Sequence, residues 1–439
     1  MSPFLSRARR VGILEVGPSL WICETASVTD LRWIDAALTS ARPQAVAALL
    51  RYFRDLDTAE EAFQEASLRA LKVWPVKGPP RDPAAWLIFV GRNTALDDKR
   101  RRSKEQELPS EEVLSNDDDA QSTLADQLDA EHYRDDILRL LFICCHPELP
   151  STQQIALALR IVSGLTVKEI ARAFLVSEAA MEQRITRAKR AVGSANVPFE
   201  TPGAEARGDR LAAVAAMIYL LFNEGYSASG GTAHVRVGLC EEAIRLARLL
   251  LRLFPSEPEV MGLMALLLLQ HARAKARLDS DNEIVLLEDQ DRGQWNREMI
   301  DEALVLVEKA LRHRRPGPYQ VQAAIAAVHS RARRAADTDW QEIDTLYGVL
   351  EQLQPSPVIT LNRAVAVSKL RGPAAALEMI EPLADKLQGY FHFFGAKGAW
   401  LHELGRTDEA RVAFDKAIAL AHTPAQAAHI RQHLDRLLK

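Results

Sequence analysis

The stretch "LTVKEIARAFLVSEAAMEQRITRAKRA", residues 165–191, contains two helix-start signals separated by a short turn. Thr166 can cap a first helix, and Glu169, three residues later, completes a capping box. Ser177 can cap a second helix, whose first residue Glu178 suits the positive end of the helix dipole. Five apolar residues can close one small core between the helices: Ile170, Phe174, Val176, Met181 and Ile185. The stretch therefore predicts two helices joined by a tight turn.

The second of these helices carries polar side chains on its outer side, away from that core. They are Gln183, Arg184, Arg187, Lys189 and Arg190. A short polar-faced helix held across another one is the geometry of a helix-turn-helix. Arginine can bond guanine bidentately, glutamine can read adenine, and lysine can hold phosphate, so the pattern indicates duplex DNA. The alternative is a solvated helical hairpin with ordinary surface charge.

The composition places this basic motif in a chain that is otherwise mildly acidic. The chain has 439 residues, of which 48% are hydrophobic and 26% charged, and its formal net charge is −4. That length predicts several domains. Alanine, leucine, arginine and glutamate dominate while β-branched runs are scarce, so we predict an all-α fold. The positive charge at residues 165–191 is thus a local concentration.

Neither a disulfide framework nor a metal site is predicted. The four cysteines, Cys23, Cys144, Cys145 and Cys240, are few and two are adjacent, which favours buried thiols in a reducing compartment. No Cys/His pairs have zinc-finger spacing. The acidic stretch "DSDNEIVLLEDQD", residues 279–291, lacks the Gly and Glu positions of a calcium loop. We therefore predict no metal and no cofactor.

The first residues do not resemble a targeting signal. Residues 1–29 begin with a basic segment, but Glu15 and Pro18 interrupt the apolar part, so we expect a disordered tail or a translation start placed too far upstream. Elsewhere no apolar run approaches the roughly 20 residues of a membrane helix. The prediction is a cytoplasmic protein with no membrane partner.

A second polar region occupies residues 57–102. One helix surface, either solvated or able to dock a partner, is lined by Asp57, Glu60, Glu61, Gln64, Glu65 and Arg69. The proline-rich loop after it and the next helix contribute Lys77, Arg81, Trp86, Arg92, Asn93, Arg100 and Arg101. Aromatic rings beside cations suit melted DNA, because bases stack on the rings while phosphates are neutralised. The alternative for Trp86 is an ordinary core position.

Two further patterns organise the rest of the chain. Residues 105–136 contain twelve acidic residues against one arginine, and the first part lacks apolar periodicity, which predicts a flexible linker. Near the C-terminus, one set of positions recurs after 34 residues: Ala364, Ala376, Ile380 and Leu383 become Gly398, Ala410, Phe414 and Ala417. That period is typical of tetratricopeptide (TPR) repeats, so a stack of helical hairpins is predicted.

The order of acidic helix, loop, aromatic and basic helix, acidic linker and helix-turn-helix resembles bacterial RNA polymerase sigma factors of the extracytoplasmic-function (ECF) type. The resemblance implies that the six residues of the acidic surface bind core polymerase. It also implies that the seven loop and second-helix residues read the −10 promoter element. Ser177 and the five outer residues of the helix-turn-helix would read the −35 element. The implied domain boundaries are a tail at 1–29, domain 2 at 30–104, a linker at 105–131, domain 4 at 132–195, a connector at 196–209 and an extension at 210–439.

The extension resembles that of a subgroup of these factors with a large TPR-like C-terminal domain. The matching segments include "YLLFNEGYSAS", "LEDQDR" and "SPVITLNRAVAV". We expect Asn223, Glu224, Gly225 and Tyr226 to pack the extension against the sigma domains. Catalysis is not expected at this turn, because no nucleophile, metal cluster or phosphate loop accompanies it.

Two functional hypotheses follow. The first is a non-enzymatic sigma factor that binds core RNA polymerase and promoter DNA and is regulated through its repeats by a protein or ligand. The second is a helix-turn-helix regulator that binds duplex DNA without joining polymerase and uses the repeats as an adaptor.

Overall fold

The protein is helical wherever its structure is described. The computed structural model describes residues 29–103, 130–174, 176–194, 204–226, 233–277, 279, 285–421 and 430–431. These ranges contain 17 α-helices and no β-strand, which confirms the predicted all-α fold. None of the helices found there is both long and apolar enough to cross a membrane. The predicted N-terminal tail and most of the acidic linker lie outside the described residues.

The first bundle consists of helices α1 (Thr29–Phe53), α2 (Leu56–Lys77) and α3 (Pro83–Ser103), which pack against one another. Asp55 begins α2 by accepting the backbone N–H of Thr58 at 2.7 Å. Gly91 lets α3 approach α2 closely, because a Cβ at this position would lie 2.8 Å from the carbonyl oxygen of Ala62. The bundle thereby fixes the position of the acidic surface on α2.

Four shorter helices follow: α4 (Ala130–Cys144), α5 (Ser151–Ala158), α6 (Val167–Ala173) and α7 (Glu178–Ser194). Helix α5 continues directly into one π-helical turn, Leu159–Ser163. Gly164 ends this turn with a φ of 78°, a left-handed conformation that glycine adopts without a Cβ penalty. The chain can therefore reverse sharply before α6 begins.

The predicted start signals of the helix-turn-helix are present. Thr166 Oγ1 accepts the Glu169 N–H at 3.2 Å, and the Glu169 carboxylate accepts the Thr166 N–H at 2.8 Å. Ser177 Oγ accepts the Ala180 N–H at 3.2 Å. The predicted small core is also found, with three of its five residues buried and two partly buried: Ile170, Met181, Ile185, Phe174 and Val176. The structure thus confirms the helix-turn-helix that the local sequence signals predict.

The extension is a run of helical hairpins in which each helix contacts the next. Its helices are α8 (Ala204–Tyr226), α9 (Ala233–Leu253), α10 (Pro258–His271), α11 (Arg297–Arg312), α12 (Pro318–Arg331), α13 (Trp340–Leu353), α14 (Pro357–Arg371), α15 (Pro373–Ile380), α16 (Phe391–Glu403) and α17 (Thr407–Leu420). The predicted 34-residue repeat is confirmed by its packing. A Cβ at Gly398 would lie 2.6 Å from the Phe414 ring, so the small residue makes room for the large one. Ala364, Ala376 and Ala410 are fully buried.

One hydrophobic core runs through helices α1–α7 and the first part of the extension. It contains buried residues from Ile34 in α1 to Ala327 in α12. A separate core, from Leu361 to Ile430, lies within the last hairpins. Three of the cysteines are buried free thiols, as predicted: Cys144, Cys145 and Cys240. Helix α8 packs against α4 and α5, α9 packs against α6, and α1 packs against α4 and the π-helical turn.

Candidate nucleic-acid interface

Helix α7 presents most of its predicted DNA-binding side chains to solvent. Gln183, Arg187 and Arg190 are exposed, and Arg184 is half-buried. Ser177 is exposed but serves as the helix cap through its hydroxyl oxygen. A capped helix with three arginines at its open surface is electropositive and positioned by a packed core. It can therefore approach a phosphate backbone or a base edge.

Lys189 differs from its neighbours, because its ammonium group contacts α2. Lys189 Nζ lies 2.5 Å from Asp57 Oδ1 and 3.0 Å from Glu60 Oε2. Burial disfavours the charged amine, but the hydrogen bond to Asp57 and the charge of Glu60 outweigh it, so the pKa of Lys189 is raised. Lys189 was predicted to meet DNA; in this arrangement it holds two helices together.

Glu60 also departs from its prediction as an open polymerase-binding residue. Its side chain is only 5% exposed, and Oε1 accepts Arg160 Nη2 at 2.9 Å and Arg42 Nη2 at 3.5 Å. With Lys189 on Oε2, three cations surround one carboxylate. A buried charge requires such partners, and these explain why Glu60 lies inward while its helix neighbours lie outward.

Arg42 joins the first bundle to the helix-turn-helix. Its Nε donates to the Ile161 carbonyl at 3.0 Å, and Nη2 donates to the Arg160 carbonyl at 3.2 Å, both in the π-helical turn. Burial lowers the pKa of Arg42 to about 10; Arg160 contributes to the lowering, while Glu60 opposes it. Arg42 was not among the residues predicted from the sequence. Its signal was a lone arginine among the small and apolar positions of "AALTSARPQAVAALL".

The remaining acidic surface of α2 is open. Glu61, Gln64 and Glu65 are exposed, and Arg69 is half-buried. The Asp57 side chain is 64% exposed even with its Lys189 contact. A row of exposed carboxylates and an amide on a rigid helix can dock a basic partner surface.

The residues predicted to read melted DNA are divided between solvent and core. Lys77, Arg81 and Arg92 are exposed, and Asn93 is half-buried. Arg92 lies over the ring of Tyr52, with 4.5 Å between its guanidinium carbon and the ring centroid. Arg100 and Arg101 belong to α3, but their side chains lie outside the described part of the chain.

Trp86 requires a correction, because it lies in the core of the first bundle. It is 8% exposed, and its ring packs edge-on against Trp74 at 5.4 Å between centroids. Trp74 in turn stacks on Trp33 at 6.1 Å. In this cluster the Trp86 ring has no open face for a base, so it positions α3 instead. Trp86 therefore occupies an ordinary core position, which was the alternative given for it in the sequence.

The turn at Asn223, Glu224, Gly225 and Tyr226 ends α8, and the contacts of Tyr226 correct its predicted role. Arg273 donates to the Tyr226 hydroxyl at 3.1 Å, and Arg277 donates to the Tyr226 carbonyl at 2.8 Å. These arginines follow α10, so the contacts lie inside the extension. The last carbonyl groups of α8 have no partner within the helix, so they attract cations such as the Arg277 guanidinium. Asn223 and Gly225 are half-buried and Glu224 is exposed.

The extension meets the helix-turn-helix half through α8, which packs against α4 and α5, and through α9, which packs against α6. On α8, the Arg210 guanidinium carbon lies 5.7 Å from the ring centroid of Phe142 in α4. Across the described residues, no group of three His, Cys, Asp or Glu side chains is placed to hold a metal ion.

Comparison with known families assigns these units. Residues 38–105 match Sigma-70 region 2, and residues 139–192 match Sigma-70, region 4. Residues 210–311 match a family of unknown function, DUF6596. A region 2 bundle joined to a region 4 helix-turn-helix defines a sigma factor of the sigma-70 class. The chain belongs to the ECF-type sigma factors, and its extension is a domain of TPR-like helical repeats. Its partners are accordingly core RNA polymerase and promoter DNA, and its role is polymerase-directed transcription initiation.

Two further similarities were found. The "Uncharacterized protein R00370" of Rhizobium meliloti (strain 1021) is 68% identical over 410 residues, which cover 93% of this chain and 97% of that protein. The crystal structure of the yeast Tom70 aligns with 94% of this chain and 86% of its own at 14% identity and a TM-score of 0.35. The second similarity is too weak to bear on fold or function.

Proposed function

We propose that α7 reads the −35 element, that the loop after α2 and helix α3 read the −10 element, and that the open face of α2 binds core polymerase. The observation that carries this proposal is the exposed pair Arg187 and Arg190 on a capped helix of a region 4 match. Arg184 lies beside them. The proposed −10 residues are Lys77, Arg81, Arg92, Asn93, Arg100 and Arg101. The proposed polymerase contacts are Asp57, Glu61, Gln64, Glu65 and Arg69.

The extension is the proposed regulatory domain. Supporting this role, α8 and α9 pack against α4, α5 and α6, and α5 and α6 in turn pack against α7, the helix that carries the arginines. A protein or ligand regulates only if it binds one arrangement better than another, and about 1.4 kcal/mol of preference changes the ratio tenfold. The factor acts by binding and performs no covalent chemistry, and it works in the cytoplasm, where polymerase and promoters are.

The test is reconstitution with core RNA polymerase, followed by selection of bound promoter sequences from a random library. The expected result is co-elution with core enzyme and enrichment of two sequence elements with a fixed spacing. Enrichment of a single duplex element without any polymerase binding would instead support a helix-turn-helix regulator that acts alone.

A further inference from the structure

Four arginines of the extension lie where α10 ends and α11 begins. Arg273 and Arg277 flank one short 3₁₀ turn, and Arg292 begins a second one. The two turns pack against each other. The Asn296 N–H donates to the carbonyl group of the residue after α10 at 2.9 Å, which brings Arg297 beside the turns. Together these side chains form the arginine cluster: Arg273, Arg277, Arg292 and Arg297.

Within the described residues, the arginine cluster forms no ion pair with a carboxylate. Arg273 and Arg277 donate to the hydroxyl and carbonyl oxygens of Tyr226, and Arg292 donates to two backbone carbonyl groups at the end of α12. Arg297 is exposed. No guanidinium nitrogen of the cluster is both buried and unpaired, so the N–H groups that remain reach the surface. The cluster therefore keeps accessible hydrogen-bond donors.

Two other half-buried arginines of the extension are neutralised by acidic side chains. Arg245 lies 2.7 Å from Glu242, and Arg363 lies 2.7 Å from both Asp344 and Glu351. Such pairing is the usual arrangement, because a charge removed from water is costly unless an opposite charge accompanies it. The arginine cluster departs from this arrangement, since its partners are neutral.

Burial and mutual repulsion both disfavour the charges of the cluster. Burial lowers the pKa of Arg277 and of Arg292, and the nearby charge of Arg273 adds to the lowering in both. Asp337 is a carboxylate whose charge acts on Arg292, but Arg334 already binds it at 2.7 and 3.0 Å. An anion from solution would relieve this repulsion.

We propose that the arginine cluster is a binding site for a small anion that bears a phosphate group. A phosphate monoester carries a charge of about −1.5 to −2 at pH 7 and three acceptor oxygens, whereas a carboxylate carries one charge. Several guanidinium groups, each able to bond phosphate bidentately, match the larger charge. The site is argued from its own contacts, while a regulatory effect of its ligand rests on the proposed function of the extension.

The first test is calorimetric titration of the full-length protein with inorganic phosphate, glycerol phosphate and acetate, at an ionic strength held constant with sodium chloride. Saturable binding of at least one phosphate compound, tighter than that of acetate, is expected. Tighter binding of glycerol phosphate than of inorganic phosphate would identify a phosphorylated metabolite as the ligand, and the reverse order would identify free phosphate. If neither phosphate compound binds more tightly than acetate, the proposal is wrong.

The second test changes the arginine cluster. Arg273→Gln and Arg297→Gln should each weaken phosphate binding by about fivefold or more, because each removes a charge-assisted hydrogen bond. Arg297 is exposed, so its replacement should preserve the fold even if Arg273→Gln loosens the contact with Tyr226. The matched control is Arg312→Gln, which removes an exposed charge from the other end of α11 and should leave binding unchanged.

Equal phosphate affinity in both cluster variants and in the control variant would overturn the site. Melting temperatures in chloride alone show whether each variant is folded. Promoter-dependent transcription with and without the bound phosphate compound is measured separately. Unchanged transcription alongside intact binding would overturn the regulatory role of the ligand and leave the site in place.

Discussion

Arg184 and Arg187 lie one turn apart on α7, and the proposed function gives them base contacts. Replacing either with alanine should weaken binding to a matched −35 sequence by about 1–3 kcal/mol, because each bidentate contact to guanine is lost. The measurement is a binding titration on matched and scrambled duplexes at one fixed salt concentration. Lys168→Ala serves as the charge control. Equal losses on both duplexes for both variants would show phosphate contact without base reading.

His329 is a half-buried histidine in α12 whose surroundings disfavour its charge. Its ring packs edge-on against Trp340 at 5.4 Å, and Arg292 donates to its backbone carbonyl. Burial lowers the pKa of His329 to about 4, and the charges of Arg273 and Arg292 add to the effect. The unfolded chain has the ordinary histidine pKa of about 6.5, so between these values the unfolded state binds the extra proton. Stability should therefore fall as the pH drops from about 6.5 towards 4.

Urea unfolding at pH 7.5 and pH 5 measures this effect as a shift in the transition midpoint. His329→Gln should reduce the shift between the two pH values, while His313→Gln, at an exposed position, should not. A shift that is identical in the wild-type protein and the His329 variant would assign the acid sensitivity to other groups, such as the half-buried His271, whose pKa is also lowered by burial.

At the scale of helices, the open face of α2 carries the proposed polymerase contact. Glu61 and Glu65 are exposed, so charge reversal of both to lysine should preserve the fold and weaken binding to core polymerase. The matched control reverses Glu298 and Glu308 on α11, which are also exposed. Binding is measured by co-elution and titration. A loss of the same size in both double variants would indicate a general effect of net charge.

The approach of α10 to α12 depends on one glycine. A Cβ at Gly262 would lie 2.6 Å from the Gln320 backbone nitrogen, and backbone cannot move aside cheaply. Gly262→Ala should therefore destabilise the protein by about 1–3 kcal/mol. Gly238→Ala in α9, where a Cβ meets nothing within 4 Å, should be neutral or slightly stabilising. Thermal unfolding compares the two variants. Equal melting temperatures would show that the close approach of α10 to α12 does not depend on Gly262.

Local signals were sufficient to predict the elements, and long-range contacts were not. The Thr166–Glu169 box and the Gly398–Phe414 repeat depend on fixed spacing along the chain, so the sequence showed them. The Lys189–Glu60 contact joins residues 129 positions apart. Both side chains fit an exposed functional surface equally well, because charge alone does not say which partner neutralises it. Trp86 was ambiguous for a related reason, because a large aromatic ring can either pack in a hydrophobic core or stack on a DNA base.

For the whole molecule, the continuous core determines where the chain can be cut. Truncation after Val197 removes the helices that cover α4, α5 and α6, so the remaining sigma regions should unfold at a lower temperature or aggregate. Truncation after Gln354 removes the separate core of the last hairpins and keeps the shared one. This shorter deletion should stay folded, as measured by circular dichroism and gel filtration. If both truncated proteins melt at the temperature of the intact chain, the shared core is not required for the stability of the sigma regions.

Promoter-dependent transcription by the protein cut after Gln354 then tests regulation without a folding artefact. A change of severalfold at matched protein concentration, more often a loss than a gain, would assign the regulatory surface to helices α14–α17. Unaltered transcription, with and without cell extract, would leave regulation to the hairpins that share the core.

The shared core also sets an order of events during synthesis. The α7 helix is complete when Ser194 has been translated, yet the core that supports its motif includes residues as late as Ala327 in α12. At about 5–20 residues per second, the ribosome needs roughly 7 to 27 seconds to cover that interval. In a nascent chain, helix α7 is therefore complete well before the core that supports it. Messages that end before the codon for Ala327, or ribosomes that stall before it, should yield no competent initiation factor.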